Sequence, residues 1–232
     1  MRVAIYTLGC KVNQYETQAM EQELTRRGHT LVPFEEQADA YIVNTCSVTA
    51  VSDKKSRQMI RRCRKLNDRA VVAACGCYVQ THPDEAAGLE LDLIAGTGDR
   101  MTFLDLLEQA AREKEPVTLL DDALRRREFE VLPAGGMAER TRAMLKIEDG
   151  CVNFCTYCII PYARGPVRSL PLETAAAQTA QLRQEGYREL VLTGIEISSW
   201  GHDRRDGKTL IDLLEAVSAA AGEMRLRLGS LE

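Results

Sequence analysis

The sequence predicts an α/β protein, an N-terminal doubly wound parallel-sheet domain followed by a partial β/α barrel. Three observations predict it. Over residues 1–115, short β-branched or continuously apolar runs alternate with segments of helical spacing, and runs that are apolar on both faces belong to parallel sheets covered by helices. Residues 116–140 then lose periodicity and carry charge clusters, Pro133, Gly135 and Gly136, the composition of a linker. From 141 to 232 the strand–helix alternation resumes, as a barrel built one unit at a time requires.

Taken in order, "RVAIYTL", "DAYIVNT", "AVVAAC" and "LDLIAGT" read as strands, with a helix near Thr102 to Lys114 after the last. Between the second and third strands, Met59, Cys63 and Leu66 recur at i, i+4 and i+7. This predicts an amphipathic helix whose outer face is basic, with Lys54, Lys55, Arg57, Arg61, Arg62, Arg64, Lys65 and Arg69 against only Asp53 and Asp68. An RNA backbone or plain solvent suits that face equally. In the second half "RAMLKI", "ELVLTGI" and "RLRLGSLE" are strands. The helices between them are Pro171 to Gln184, closed by Gly186, and "TLIDLLEAVSAAAG", with Pro at the start and Gly at the end as helices prefer. In such a barrel function sits on the loops after the strands, here the loop after Lys146, Gly194 to Ser198, and Ser230 to Glu232.

With 45% hydrophobic and 28% charged residues in 232, the chain can bury a sizeable core. No run approaches the about 18 apolar residues that span a bilayer, so no membrane partner is expected. Eight cysteines without a secretory signal suit a reducing cytoplasm and metal binding better than disulfides. A net charge of −4 gives no global nucleic-acid footprint. There is no G-x-G-x-x-G and no P-loop, and His29, His82 and His202 show no ligand spacing and receive no role.

Cys151, Cys155 and Cys158 form a C-x3-C-x2-C run. Structural zinc normally takes four N/S ligands, and haem attachment reads C-x-x-C-H; neither fits. Three thiolates can grip three corners of a cubic iron–sulfur cluster and leave one iron open for a ligand. Cys10, Cys46 and Cys77 each follow one of the first three strands. In open α/β sheets ligands sit outside the carboxyl ends of the strands, so these three can converge on a second site. Spacing leaves Cys75 and Cys77 of "CGC" both open as the third member. Cys63, on the apolar stripe of the basic helix, reads as core packing, as does Cys75 within its strand.

"KIEDGCVNFCTYCIIPYARG" and "TLGCKVNQYET" resemble the cluster loop and the N-terminal hallmark of the radical S-adenosylmethionine (SAM) methylthiotransferases. The "LGCKVNQYE" wording is similar to the branch that modifies threonylcarbamoyladenosine in tRNA. The resemblance implies two 4Fe-4S clusters, with Cys151, Cys155 and Cys158 as the catalytic set and Cys10, Cys46 and Cys77, in preference to Cys75, as auxiliary ligands. It further implies two uses of SAM, one as methyl donor and one as the source of a 5′-deoxyadenosyl radical. A tRNA substrate and a reductant such as flavodoxin or ferredoxin are the implied partners.

Tyr157 matches the aromatic position that lies against the SAM adenine in the family, or else it packs. Gly194, Ile195 and Glu196 end a barrel strand, where Gly admits a ligand and a carboxylate can hold ribose or amino groups; Glu196 also reads as a surface acid. Arg164 in "YARG" suits a carboxylate or phosphate partner or a loop-to-core salt bridge. Isopentenyladenosine in tRNA, a ribosomal-protein Asp side chain, and a non-enzymatic iron–sulfur role are the alternatives. Family members complete the barrel and add a small RNA-binding β-domain, so the resemblance also implies a C-terminally truncated chain.

Overall fold

The computed structural model describes residues 1–135, 141–229 and 231. Residues 136–140 of the predicted linker, and Ser230 and Glu232 at the predicted barrel edge, lie outside the described residues. The first half runs β1 (Arg2–Thr7), α1 (Lys11–Arg26), β2 (Thr30–Leu31), β3 (Ala40–Thr45), α2 (Ala50–Leu66), β4 (Val71–Gly76), α3 (Cys77–Thr81), α4 (Pro83–Ala87), β5 (Leu93–Ala95), α5 (Arg100–Glu113) and β6 (Val117–Leu119). Its strands form one parallel sheet in the order β2-β1-β3-β4-β5-β6.

Alternate side chains of the strands feed two cores, which is why the runs are apolar throughout. Val3, Ile42, Ala73 and Cys75 join Met20, Leu24, Phe103 and Leu107 on the side of α1 and α5. Ala4, Tyr41, Val43, Val72 and Ala74 join Met59, Ile60, Cys63 and Tyr78 on the side of α2 and α3. Strand β2 has two residues and β6 three; neither is long enough to show a pattern. The sheet therefore continues a few residues past 115.

The second half runs β7 (Arg142–Lys146), β8 (Glu148–Asp149), α6 (Ile160–Arg164), β9 (Arg168–Ser169), α7 (Leu172–Gln184), β10 (Glu189–Thr193), α8 (Leu210–Ala221) and β11 (Arg225–Leu228). Strands β11, β10 and β7 pair in parallel in that order, an opened barrel wall, while β8 and β9 make a short antiparallel ladder. Thr209 and Asp212 cap α8 reciprocally, a strong start signal in sequence. Ala143, Leu145, Leu190 and Leu192 face Leu182, Leu213 and Val217 of the covering helices.

Helix α1 belongs to both halves. Met20 and Leu24 pack under the N-terminal sheet, whereas Tyr15 and Ala19 lie in the core of the barrel wall. The Tyr15 hydroxyl donates to Leu132 O at 3.0 Å, and Leu132 and Ala134 are themselves buried. Part of the stretch that lacks periodicity is thus packed against the junction through Leu132 and Ala134.

Candidate active site

The chain passes from β1 to β2 on one side and then returns to place β3 on the other. The crevice at the carboxyl ends of β1 and β3 is therefore the topological switch point, where such sheets bind ligands. Cys10 stands at the end of β1, Cys46 directly after β3 and Cys77 directly after β4. A Cβ on Gly9 would stand 3.2 Å from Cys46 Cβ, and one on Gly76 only 2.5 Å from Thr45 O. Gly76 has φ +101°, so a side chain there is excluded twice, by strain and by contact. These approaches draw the three cysteine turns together. Burial pushes the Cys77 thiol up to about 11, with Cys10 and Cys46 near enough to act the same way and Arg164 against them. Cys75 alternates to the opposite side and is buried with Leu93 and Phe103, and Cys63 is buried beside Met59.

The second set lies on the loop after β8. Cys151 N donates to Gly165 O at 3.0 Å and Cys158 N to Cys155 O at 2.8 Å, and Phe154 takes a left-handed φ of 46°. Cys155 is exposed, and Cys151 and Cys158 are half-buried. Glu196 Oε2 accepts from Asn153 Nδ2 at 2.7 Å and from Cys151 Sγ at 3.5 Å, so the turn after β10 meets this loop. That turn is held from below, because Ile195 N and Glu196 N both donate to Glu148 Oε2 at 2.8 Å. Tyr157 stands apart from this contact, 91% exposed.

Glu148 is fully buried, and its second oxygen has no partner. Burial pushes its carboxyl up to about 8, aided by Asp149 and opposed by the two backbone N–H groups. A carboxyl raised from 4.5 to about 8 on folding contributes stability that is present below the lower value and lost as pH rises to the upper. The difference in urea midpoint between Glu148→Gln and the parent should accordingly widen in favour of the variant from pH 4.5 to 8. Parallel pH curves would refute the assignment.

Between the two cysteine sets lies a buried ionic cluster. Arg164 Nη1 pairs with Glu16 Oε1 at 2.9 Å and Asp149 Oδ1 at 3.1 Å. Arg100 Nη2 meets Glu16 Oε2 at 2.9 Å, and Lys146 Nζ meets Asp149 Oδ2 at 3.1 Å and Glu16 Oε1 at 3.3 Å. Burial would raise Glu16 and Asp149, but the cations prevail and hold both carboxylates well below their usual range. Arg164 Nη2 also donates to Asn13 Oδ1 at 2.9 Å, the oxygen that Cys10 Sγ approaches at 3.6 Å. Of the two sequence readings of Arg164, the structure selects the loop-to-core salt bridge, made to carboxylates from both halves of the chain.

All eight cysteines are free. Both candidate sets are thiol-only, and among the described residues no group of three or more His, Cys, Asp or Glu is placed to hold a single metal ion. Free thiols are the donor type that holds iron–sulfur clusters.

Residues 2–96 match the family described as Uncharacterized protein family UPF0004. Across 99% of its length the chain is 43% identical to the Threonylcarbamoyladenosine tRNA methylthiotransferase MtaB of Bacillus subtilis, and across 100% it is 39% identical to that of Aquifex aeolicus. The chain belongs to the methylthiotransferase family. It spans about half the length of these relatives, 51% and 56% respectively. A tRNA-2-methylthio-N(6)-dimethylallyladenosine synthase of Thermotoga petrophila is 34% identical over 97% of the chain. The fold is shared with the radical S-adenosylmethionine methyltransferase TsrM from Kitasatospora setae, with a TM-score of 0.55 at 17% identity, over 99% of this chain and 59% of that one.

In this family member, sequence reading passed over Glu16, Arg100, Lys146, Glu148 and Asp149. A signal existed for two of them, since Lys146 and Glu148 interrupt the otherwise apolar "MLKI" run and its continuation into the cysteine loop. On α2, Met59, Ile60 and Cys63 are buried as the stripe requires, while Arg57, Arg62 and Arg64 pair with Glu85, Glu35 and Asp92. No helix among the described residues is long and apolar enough to cross a membrane.

Proposed function

We propose that this protein adds a methylthio group to C2 of N6-threonylcarbamoyladenosine next to the anticodon of tRNA. The observation that carries this reading is the pair of thiol triads at the carboxyl edges of two parallel sheets, joined through Asn13 and Arg164. Cys151, Cys155 and Cys158 would hold one 4Fe-4S cluster, and Cys10, Cys46 and Cys77 the auxiliary one. When bound, such clusters supply the electron and the sulfur that radical SAM methylthiolation needs.

The remaining roles fall to the chain's own residues. Glu148 fixes the Gly194–Glu196 turn against the cysteine loop, where Gly194 and Ile195 offer backbone, and Glu196 a carboxylate, to SAM. Tyr157 is free to close over its adenine. The buried cations and carboxylates fix the separation of the two edges. A flavodoxin or ferredoxin would deliver electrons, and the free thiols together with a tRNA substrate support a cytoplasmic location.

The test is nucleoside mass analysis of tRNA incubated anaerobically with the protein, SAM and dithionite. A methylthio increment on threonylcarbamoyladenosine is the expected result. The increment on isopentenyladenosine or on a ribosomal-protein Asp instead, or on none of the three, would overturn this reading.

A further inference from the structure

Helix α1 crosses the inner face of β7, β10 and β11, and a cavity of about 580 Å³ lies between them, within the size range of small-ligand pockets. Lys11, Arg142 and Arg227 line it together with Gln14 and Gln18, and no carboxylate does, in a chain whose net charge is −4. Arg142 and Arg227 are already committed to Glu189, at 2.6 and 3.3 Å. Lys11 has no acidic partner among the described residues and is exposed. It is the first residue of α1, directly after Cys10, where the positive end of the helix dipole adds to its charge. Its Nζ would stand 3.3 Å from a Cβ on Gly229, just past the end of β11 and beside the backbone of β10, whose Leu192 O accepts Gly229 N. The uncommitted cation thus stands between Cys10 and the barrel edge that carries Gly194 to Glu196.

We propose that Lys11 is a specificity-determining residue whose ammonium binds the carboxylate of the threonyl group on N6 of the adenosine. This rests on the substrate proposed above. A threonylcarbamoyl group ends in a carboxylate and offers a urea-like linkage, matched here by the Lys11 ammonium in a cavity that two side-chain amides also line. A hydrocarbon substituent in the same place would leave a desolvated ammonium unpaired, which is how a polar site rejects an apolar analogue. An RNA phosphate is the other oxyanion that an ammonium accepts, but it would bind regardless of what the N6 position carries.

Three anticodon stem-loop RNAs of identical sequence separate these cases, bearing threonylcarbamoyladenosine, its neutral threonine-amide isostere, or plain adenosine. Fluorescence anisotropy on the protein and on Lys11→Gln and Lys11→Arg reads the affinities. The parent should prefer the acid over the amide by about tenfold, a modest charge-assisted hydrogen bond. Lys11→Gln should bind both alike, and Lys11→Arg should keep the preference. Equal weakening of all three RNAs by Lys11→Gln would make Lys11 a phosphate contact and overturn the proposal, as would an unchanged preference. A parent that binds the acid-bearing RNA no better than the plain one would overturn the substrate assignment itself.

Discussion

Cys155→Ala is expected to abolish reductive SAM cleavage while leaving the fold intact. Cys155 is exposed, and the bond its backbone carbonyl makes with Cys158 N does not need the thiol. On the proposed ligation, one of three ligands to an open cluster cannot be spared, so SAM cleavage under dithionite should fall at least about 100-fold, the upper end of what losing a mere outer partner costs. Iron per chain after anoxic purification should fall by about four. A Cys10, Cys46 and Cys77 triple Ala variant should lose about as much iron yet keep SAM cleavage. Unchanged cleavage in Cys155→Ala would sink the assignment of the loop. Unchanged iron in the triple variant would make the N-terminal triad structural.

Glu16→Gln is expected to destabilise the protein by about 3–5 kcal/mol, the cost of removing one partner from a buried ionic cluster. Glu16 is fully buried and faces Arg100, Lys146 and Arg164, so its loss strands cations rather than deleting one contact. A loss of that size is a large part of a domain's net stability and is measurable as a fall in urea midpoint. The pH dependence has a definite sign. Glu16 and Asp149 are held below their usual range, so their stabilisation is present above the ordinary carboxylate pKa and disappears as pH falls through the folded values. The parent should therefore lose stability in acid more steeply than Glu16→Gln. A penalty under about 1 kcal/mol, typical of a surface pair, would show that the cluster is hydrated in solution.

Much of this was legible in the sequence, and the reasons differ by element. Strands β1, β3, β4 and β10 were readable because their apolar runs are long enough to carry a pattern, and β11 because its residues alternate. Strand β2 was not, since two residues hold no period, and β6 falls within the stretch whose charge clusters read as a linker. The places of the two cysteine sets, at the ends of strands and on one loop, were legible because spacing and strand ends are both sequence properties. The choice between Cys75 and Cys77 follows from the pleat, since Cys75 lies inside β4 and is buried with the α1 side of the sheet. Charges are usually solvated, so although Lys146 interrupts the apolar "MLKI" run, nothing in "QYET" or "RMTF" announced that Glu16 and Arg100 meet it in one buried place. Lys11 was visible as a residue, but the direction it takes depends on where α1 lies across the second sheet.

That shared helix makes the molecule poorly divisible. Cutting after the first sheet would carry away an α1 whose Tyr15 and Ala19 belong to the other core, and would strand Glu16 with Arg100 but without Lys146 or Arg164. The barrel wall left behind would lose the helix that roofs its inner face. The family match ends at residue 96, before β6 completes the sheet, and the shared helix ties the stability of each segment to that of the other.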